Sequence, residues 1–189
     1  MSWLEEIAFV LGIINVVLVV RRSLWNYPFG LVMVSLYAVI FFGAKLYSDA
    51  ILQLFFFIVQ IYGWTNWARN KRSEGRVVVL RLATGERAAW LIGIAVATAC
   101  WGWLMHRFTD AAFPWWDASV AMLSVAAQIL MSRRAIENWW LWIIVDIDAI
   151  GLYAAKDLRL TALLYAVFLM LSAWGLIDWR RAERRAAAA

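Results

Sequence analysis

One cysteine, one histidine and two prolines are all that 189 residues contain of three types that usually mark chemistry or chain breaks. The lone Cys100 excludes an intrachain disulfide. With His106 as the single imidazole, no His–Cys metal set can form. Paired carboxylates and a phosphate-cradling glycine loop are missing too, so an enzyme is not expected, nor any cofactor or metal. Charge is scarce: 16% of residues are charged and 65% are hydrophobic, with a mean hydropathy of +0.71. A soluble domain is about half apolar, so the partner expected here is a lipid bilayer. The net charge of +5 does not imply nucleic acid, because Lys and Arg beside apolar spans are ordinary topology signals. No basic stretch precedes the first apolar run and no A-x-A-like site follows it, so that run is expected to stay as a first helix.

Long hydrophobic runs are what the chain does have. A helix needs roughly 17–25 residues to cross the hydrocarbon core. Seven spans qualify: Trp3–Val20, Pro28–Ala44, Ala50–Trp67, Ala88–Met105, Trp115–Met131, Trp139–Ala155 and Leu160–Trp179. The polar segment Arg69–Arg87 between the third and fourth leaves room for a short hairpin. With seven spans the loops alternate sides. Fourteen of the eighteen Lys and Arg then share one side, and only Lys45, Arg107, Lys156 and Arg159 take the other. The positive-inside rule puts the N-terminus outside and the C-terminus in the cytoplasm.

Sliding the chain against itself by 112 residues, without gaps, lays Arg21–Arg22 on Arg133–Arg134 and Asn26 on Asn138. It also lays Ala50 on Ala162, Leu52 on Leu164, Gly63 on Gly175 and Trp67 on Trp179. The expected fold is an all-α membrane protein with two parallel three-helix repeats joined by a linker helix. The expected divisions are 1–67 for the first repeat, 68–114 for a cytoplasmic loop and the linker helix, 115–179 for the second repeat, and 180–189 for a basic cytoplasmic tail. Sites in repeat-built transporters lie near the midplane, where the repeats meet.

Residues at i, i+3, i+4 and i+7 share a helix face. Asp49, Gln53, Phe56, Gln60 and Trp64 form one polar and aromatic stripe. Adding 112 gives Thr161, Tyr165, Phe168, Ser172 and Leu176. Asp117, Ser124 and Gln128 form another stripe. Asn138, Trp142, Asp146, Ala149 and Tyr153 form a third, with Trp139 beside it. Asn26, Gly30 and Tyr37 echo it in the second helix. An acid costs about 2.5–3.5 kcal/mol at the centre of a membrane helix, so Asp146 is expected to face a cavity. Asp148 points about 200° away on the helix and is expected to meet another helix. Gln and Asn in such helices serve equally as glue between helices or as ligand contacts. Trp3, Trp25, Trp67, Trp115 and Trp179, near span ends, are expected to be interface anchors. Cys100 and His106 are expected to be packing and interface residues.

"WNYPFG", "KLYSDAILQLFFFIVQIYGWTNW", "ENWWLWIIVD" and "GLYAAKDLRLTALLYAVFLMLSAWGLIDW" resemble the PnuC family of bacterial vitamin transporters over about Leu4 to Trp179. The resemblance implies a three-one-three, SWEET-like arrangement in the bacterial inner membrane and a homotrimer. It implies uptake of nicotinamide riboside by facilitated diffusion, with a cytoplasmic kinase trapping the substrate. Related subfamilies carry thiamine or riboflavin. In the family a Trp-x-x-Trp pair on the sixth helix goes with nicotinamide riboside, and Trp139 and Trp142 have that spacing. Trp140, crowded between them, departs from the pattern, as does a start without an extra N-terminal segment. A flat pyridinium prefers an aromatic face, which Trp139, Trp142, Tyr165 and Phe168 offer, and Trp64 and Tyr153 are expected among the substrate-binding residues as well. Hydroxyls and a carboxamide need both donors and acceptors, which Gln53, Gln60, Gln128 and Asn138 supply. Asp146 would offset the positive charge.

Overall fold

The computed structural model describes residues 3–43, 47–109, 113–155 and 159–187, with backbone alone for residues 5, 41, 47–50, 153, 159–161 and 187. Its helices are α1 (Trp3–Val20), α2 (Asn26–Gly43), α3 (Tyr47–Glu74), α4 (Thr84–Phe108), α5 (Pro114–Ser132), α6 (Glu137–Ala155) and α7 (Arg159–Ala187). Each contains most of one expected span. α2 starts two residues early because the Asn26 amide donates to Ser23 O at 2.6 Å and tightens the turn before it. Pro28 and Pro114 stay in first turns, where a missing N–H is harmless. α3 and α7 continue past their apolar spans, and the basic tail is helical through Ala187. Gly75, at φ +70°, closes α3 in the left-handed conformation common after a helix end.

The segment after Gly75 forms no hairpin. It crosses to the α5–α6 turn, where Leu80 N donates to Arg134 O and Ile136 N donates to Leu80 O, both at 2.9 Å. Edge backbone is thereby satisfied by another part of the chain rather than by its own return strand.

The helices pack in a closed ring. α1 lies on α2, α2 on α3, α3 on α5, α5 on α6, α6 on α7, and α7 returns to α1. α4 stands outside the ring; among the described residues it packs on α5, and Arg87 at its start pairs with Glu137 of α6. The described basic loops meet at one end. Arg22 pairs with Asp178, Arg81 with Glu183 and Arg87 with Glu137. Lys45 and Lys156, assigned to the other side, lie outside the described residues.

The turns after α1 and α5 carry the same bonds 112 residues apart. Arg22 N donates to Val19 O and Arg134 N to Met131 O; Ser23 N donates to Leu18 O and Ala135 N to Leu130 O. Among the described residues, Arg22 (φ 53°) and Arg134 (φ 64°) are the only non-glycines with positive φ.

Candidate functional site

At the arginine-rich end the ring is closed by aromatic rings. Trp67 of α3 donates its indole N–H to Met131 O of α5 at 3.1 Å, and Trp179 of α7 donates to Val19 O of α1 at 3.2 Å. The two indoles lie 5.7 Å apart, centroid to centroid, and both are 0% exposed. Tyr27 meets Trp67 edge-on at 5.5 Å, and Trp139 meets Trp179 edge-on at 5.6 Å. Two glycines make the room. A Cβ on Gly175 would lie 2.5 Å from the Trp139 ring, and one on Gly63 would lie 2.8 Å from the Tyr27 hydroxyl. Trp67 and Trp179 are therefore core residues rather than interface anchors. A helix-end carbonyl for each N–H lets an indole be buried with its donor satisfied. Trp3, Trp25 and Trp115 are exposed, as anchors would be.

Asn138 and Trp139 belong to this closed layer. The Asn138 amide donates to Ala135 O at 2.7 Å, matching Asn26 on Ser23. Asn138 Oδ1, Trp139 Nε1 and the Tyr27 hydroxyl are buried without a partner among the described residues. Trp140 turns outward, with the Arg180 guanidinium 5.2 Å over its ring. Trp64 is 38% exposed on the outer side of α3 and stacks on Tyr27 at 6.2 Å. The inner face of α3 thus runs from Gln60 to Gly63 and Trp67, and Trp64 is not brought together with the other candidates.

Seven residues before Trp67 and Trp179 come Gln60 and Ser172, about 10 Å deeper along their helices. Asp146, 2% exposed, accepts a hydrogen bond from Ser172 Oγ at 2.9 Å across the α6–α7 seam. In the other half Gly30 of α2 opens a gap that Gln60 and Asn15 enter. A Cβ there would overlap Gln60 Oε1 and lie 2.7 Å from Asn15 Nδ2. Asn15 also donates to Asn26 O at 2.6 Å. Sequence reasoning passed over Asn15, although a lone amide in "GIINVVLVV" was a usable signal.

The glutamines are the informative side chains. Gln60 and Gln128 are buried and Gln53 is half-buried, yet none of the three amides bonds another side chain or backbone group among the described residues. Glue between helices would have found a partner. Trp142 is half-buried and packs against both buried clusters of the ring. Tyr165 and Phe168 of α7 meet edge-on at 6.0 Å, and Phe168 reaches Gly12 of α1. Asp148 faces α5, where Trp116 Nε1 and Ser119 Oγ donate to it at 2.5 and 2.6 Å. The two acids serve different seams, as their spacing requires. The side chains of Asp49, Tyr153 and Thr161 lie outside the described residues.

The profile of the nicotinamide mononucleotide transporter family matches residues 2–181. The chain belongs to that family. It is an integral membrane transporter, not an enzyme. The nicotinamide riboside transporter PnuC of Neisseria mucosa is 35% identical, over 97% of this chain and 74% of its own. The riboflavin/roseoflavin transporter RibM of Streptomyces davaonensis is 30% identical, over 97% and 87%. A crystal structure of the vitamin B3 transporter PnuC matches with a TM-score of 0.79 at 31% identity, covering 97% of this chain and 83% of that one.

Proposed function

We propose that this transporter carries nicotinamide riboside into the cell by facilitated diffusion, with phosphorylation inside trapping the substrate. The observation that carries the reading is the set of glutamine amides without protein partners among the described residues, in a ring whose α6 carries Trp142 and Asp146. A riboside offers hydroxyls and a carboxamide to those amides, and its cationic ring suits an indole face. Gln53, Gln60, Gln128, Trp142, Asp146, Tyr165 and Phe168 are the proposed contacts, with Tyr153 on the same α6 stripe. Asn138 and Trp139 close the path beneath them. The relatives named for nicotinamide riboside support this cargo. Riboflavin is the second reading, favoured by the similarity to RibM. Calorimetry on the purified protein with nicotinamide riboside, thiamine and riboflavin decides. Nicotinamide riboside should bind at least tenfold tighter than either of the others, and a stronger riboflavin signal would replace the first reading with the second.

The architecture proposed is two parallel three-helix repeats, α1–α3 and α5–α7, joined by α4. The turn bonds and indole bonds recurring at a spacing of 112 support it, as does the equivalence of the α3–α5 and α7–α1 seams. The arginine-rich end is proposed to face the cytoplasm of a bacterial inner membrane, with the N-terminus outside. A reporter active only in the periplasm, fused after Arg185, should stay silent. The family resemblance implies a homotrimer, and α4, which among the described residues packs chiefly on α5, leaves a face for it.

A further inference from the structure

The cations at the arginine-rich end are not treated alike. Arg22 meets Asp178 at 2.5 Å, Arg81 meets Glu183 at 2.6 Å and Arg87 meets Glu137 at 3.0 Å. Hydrogen bonds from Arg81 hold Glu183 below the usual carboxylate range. Five cations converge on one cavity of about 350 Å³, and of these Arg22 alone is among the paired. Three separate stretches wall it: Arg21 and Arg22 after α1, Lys71 to Val79 at the end of α3, and Ala182 to Ala186 on α7. Arg21, Arg22, Lys71, Arg76 and Arg185 line it, and no carboxylate does. Among the described residues, Arg21, Lys71, Arg76 and Arg185 make no ion pair.

Two ordinary causes bring cations here. The positive-inside bias collects them on one side. Lys71 and Arg185 sit in the last turns of α3 and α7, where they complement the carbonyl ends. Neither cause shapes a cavity or keeps acids from it. Glu74 and Glu183 belong to the same helix ends, yet neither lines the wall. Like charges converging on a concavity repel one another until an anion joins them. Guanidinium forks and an ammonium match phosphate oxygens in number and charge. Val77, Val79 and Ala186 give the rest of such a ligand an apolar surface.

We propose that this cavity binds a phosphate-bearing anion, either a phosphate monoester from solution or the headgroup of an anionic lipid. The site is separate from the substrate contacts and stands whichever vitamin is carried. Delipidated full-length protein in neutral detergent is titrated with inorganic phosphate against chloride at constant ionic strength, and its melting temperature is followed. An Arg76→Gln, Arg185→Gln variant is compared with the charge-matched Arg69→Gln, Arg184→Gln variant, whose altered side chains lie outside the cavity. Phosphate should raise the melting temperature of the parent and the control, and the concentration needed should rise about tenfold in the cavity variant. If the cavity variant does not fold, Arg76→Gln alone, on an exposed loop, carries the comparison. No shift in the parent, or equal shifts in both variants, overturns the proposal. Native mass spectrometry from phosphatidylglycerol nanodiscs assigns the source. One lipid more on the parent than on the cavity variant, with the phosphate response of the delipidated parent lost once phosphatidylglycerol is restored, makes a headgroup the occupant. Equal lipid retention with the phosphate response intact makes it a soluble monoester.

Discussion

At the arginine-rich end, α1–α3 and α5–α7 carry matching parts: Arg22 and Arg134, Asn26 and Asn138, Gly63 and Gly175, Trp67 and Trp179. Ten ångströms deeper the same offset pairs unlike residues. Gly30 faces Trp142 in the alignment, Val34 faces Asp146, Gln60 faces Ser172, and Asn15 faces Ala127. The difference has a physical reason. Each indole bonds a carbonyl of the other half, so closing the ring takes the same part twice. A solute with an aromatic cation at one end and a sugar at the other has no twofold symmetry. On the proposed reading, walls that recognise it must differ, as Gly30 and Val34 in one half differ from Trp142 and Asp146 in the other.

The largest expected effect tests whether the two closed-end glycines are equal. Gly175→Ala puts a methyl into the fully buried Trp139 ring and should destabilise by about 3 kcal/mol, the upper end for overpacking. Gly63→Ala meets a hydroxyl and a Cβ at longer range and should cost less. Thermal denaturation in detergent measures both, and equal losses would remove the asymmetry. Next, Trp142→Ala should weaken nicotinamide riboside binding by roughly ten- to a hundredfold, on the order of 1–3 kcal/mol, while Trp3→Ala leaves it unchanged. Calorimetry on monodisperse protein checks this, and unchanged affinity in Trp142→Ala would take the substrate away from the α6 stripe. The smallest effect sharpens the matching end. Trp67→Phe and Trp179→Phe each lose one indole bond and should each lower stability by about 1 kcal/mol. Unlike losses would mean that one seam bears more of the closure than the other.

The apolar spans made the helix order legible, and the paired Arg-Arg and Trp positions made the spacing of 112 legible. The ring did not show in the sequence, because which helices become neighbours is decided by long-range packing. Trp67 and Trp179 were misplaced because a tryptophan near a span end looks the same whether it anchors in lipid or packs over a glycine. Only the carbonyl it finds separates the two cases. Helical spacing placed Gln53, Gln60, Gln128 and Asp146 on shared stripes; Gln60, Gln128 and Asp146 are buried, and Gln53 is half-buried. It could not decide between glue and ligand for the amides, since that depends on whether a partner lies opposite. It also carried the α3 stripe to Trp64, where the inner face has already turned toward Gly63 and Trp67.

Leu80 is tied to the α5–α6 turn, and from there to α7 the chain is bound to the second half through Glu137 and Glu183. The covalent slack between the halves is therefore not spread along α4. It is concentrated in the five residues 75–79, starting at the left-handed Gly75. Any rocking of one half against the other must be absorbed as strain in that short strap. The strap is also one wall of the basic cavity, so its dimensions follow the relative position of the halves. An anion held there, as proposed, would act as a strut across that joint, and its occupancy would depend on the relative position of the halves.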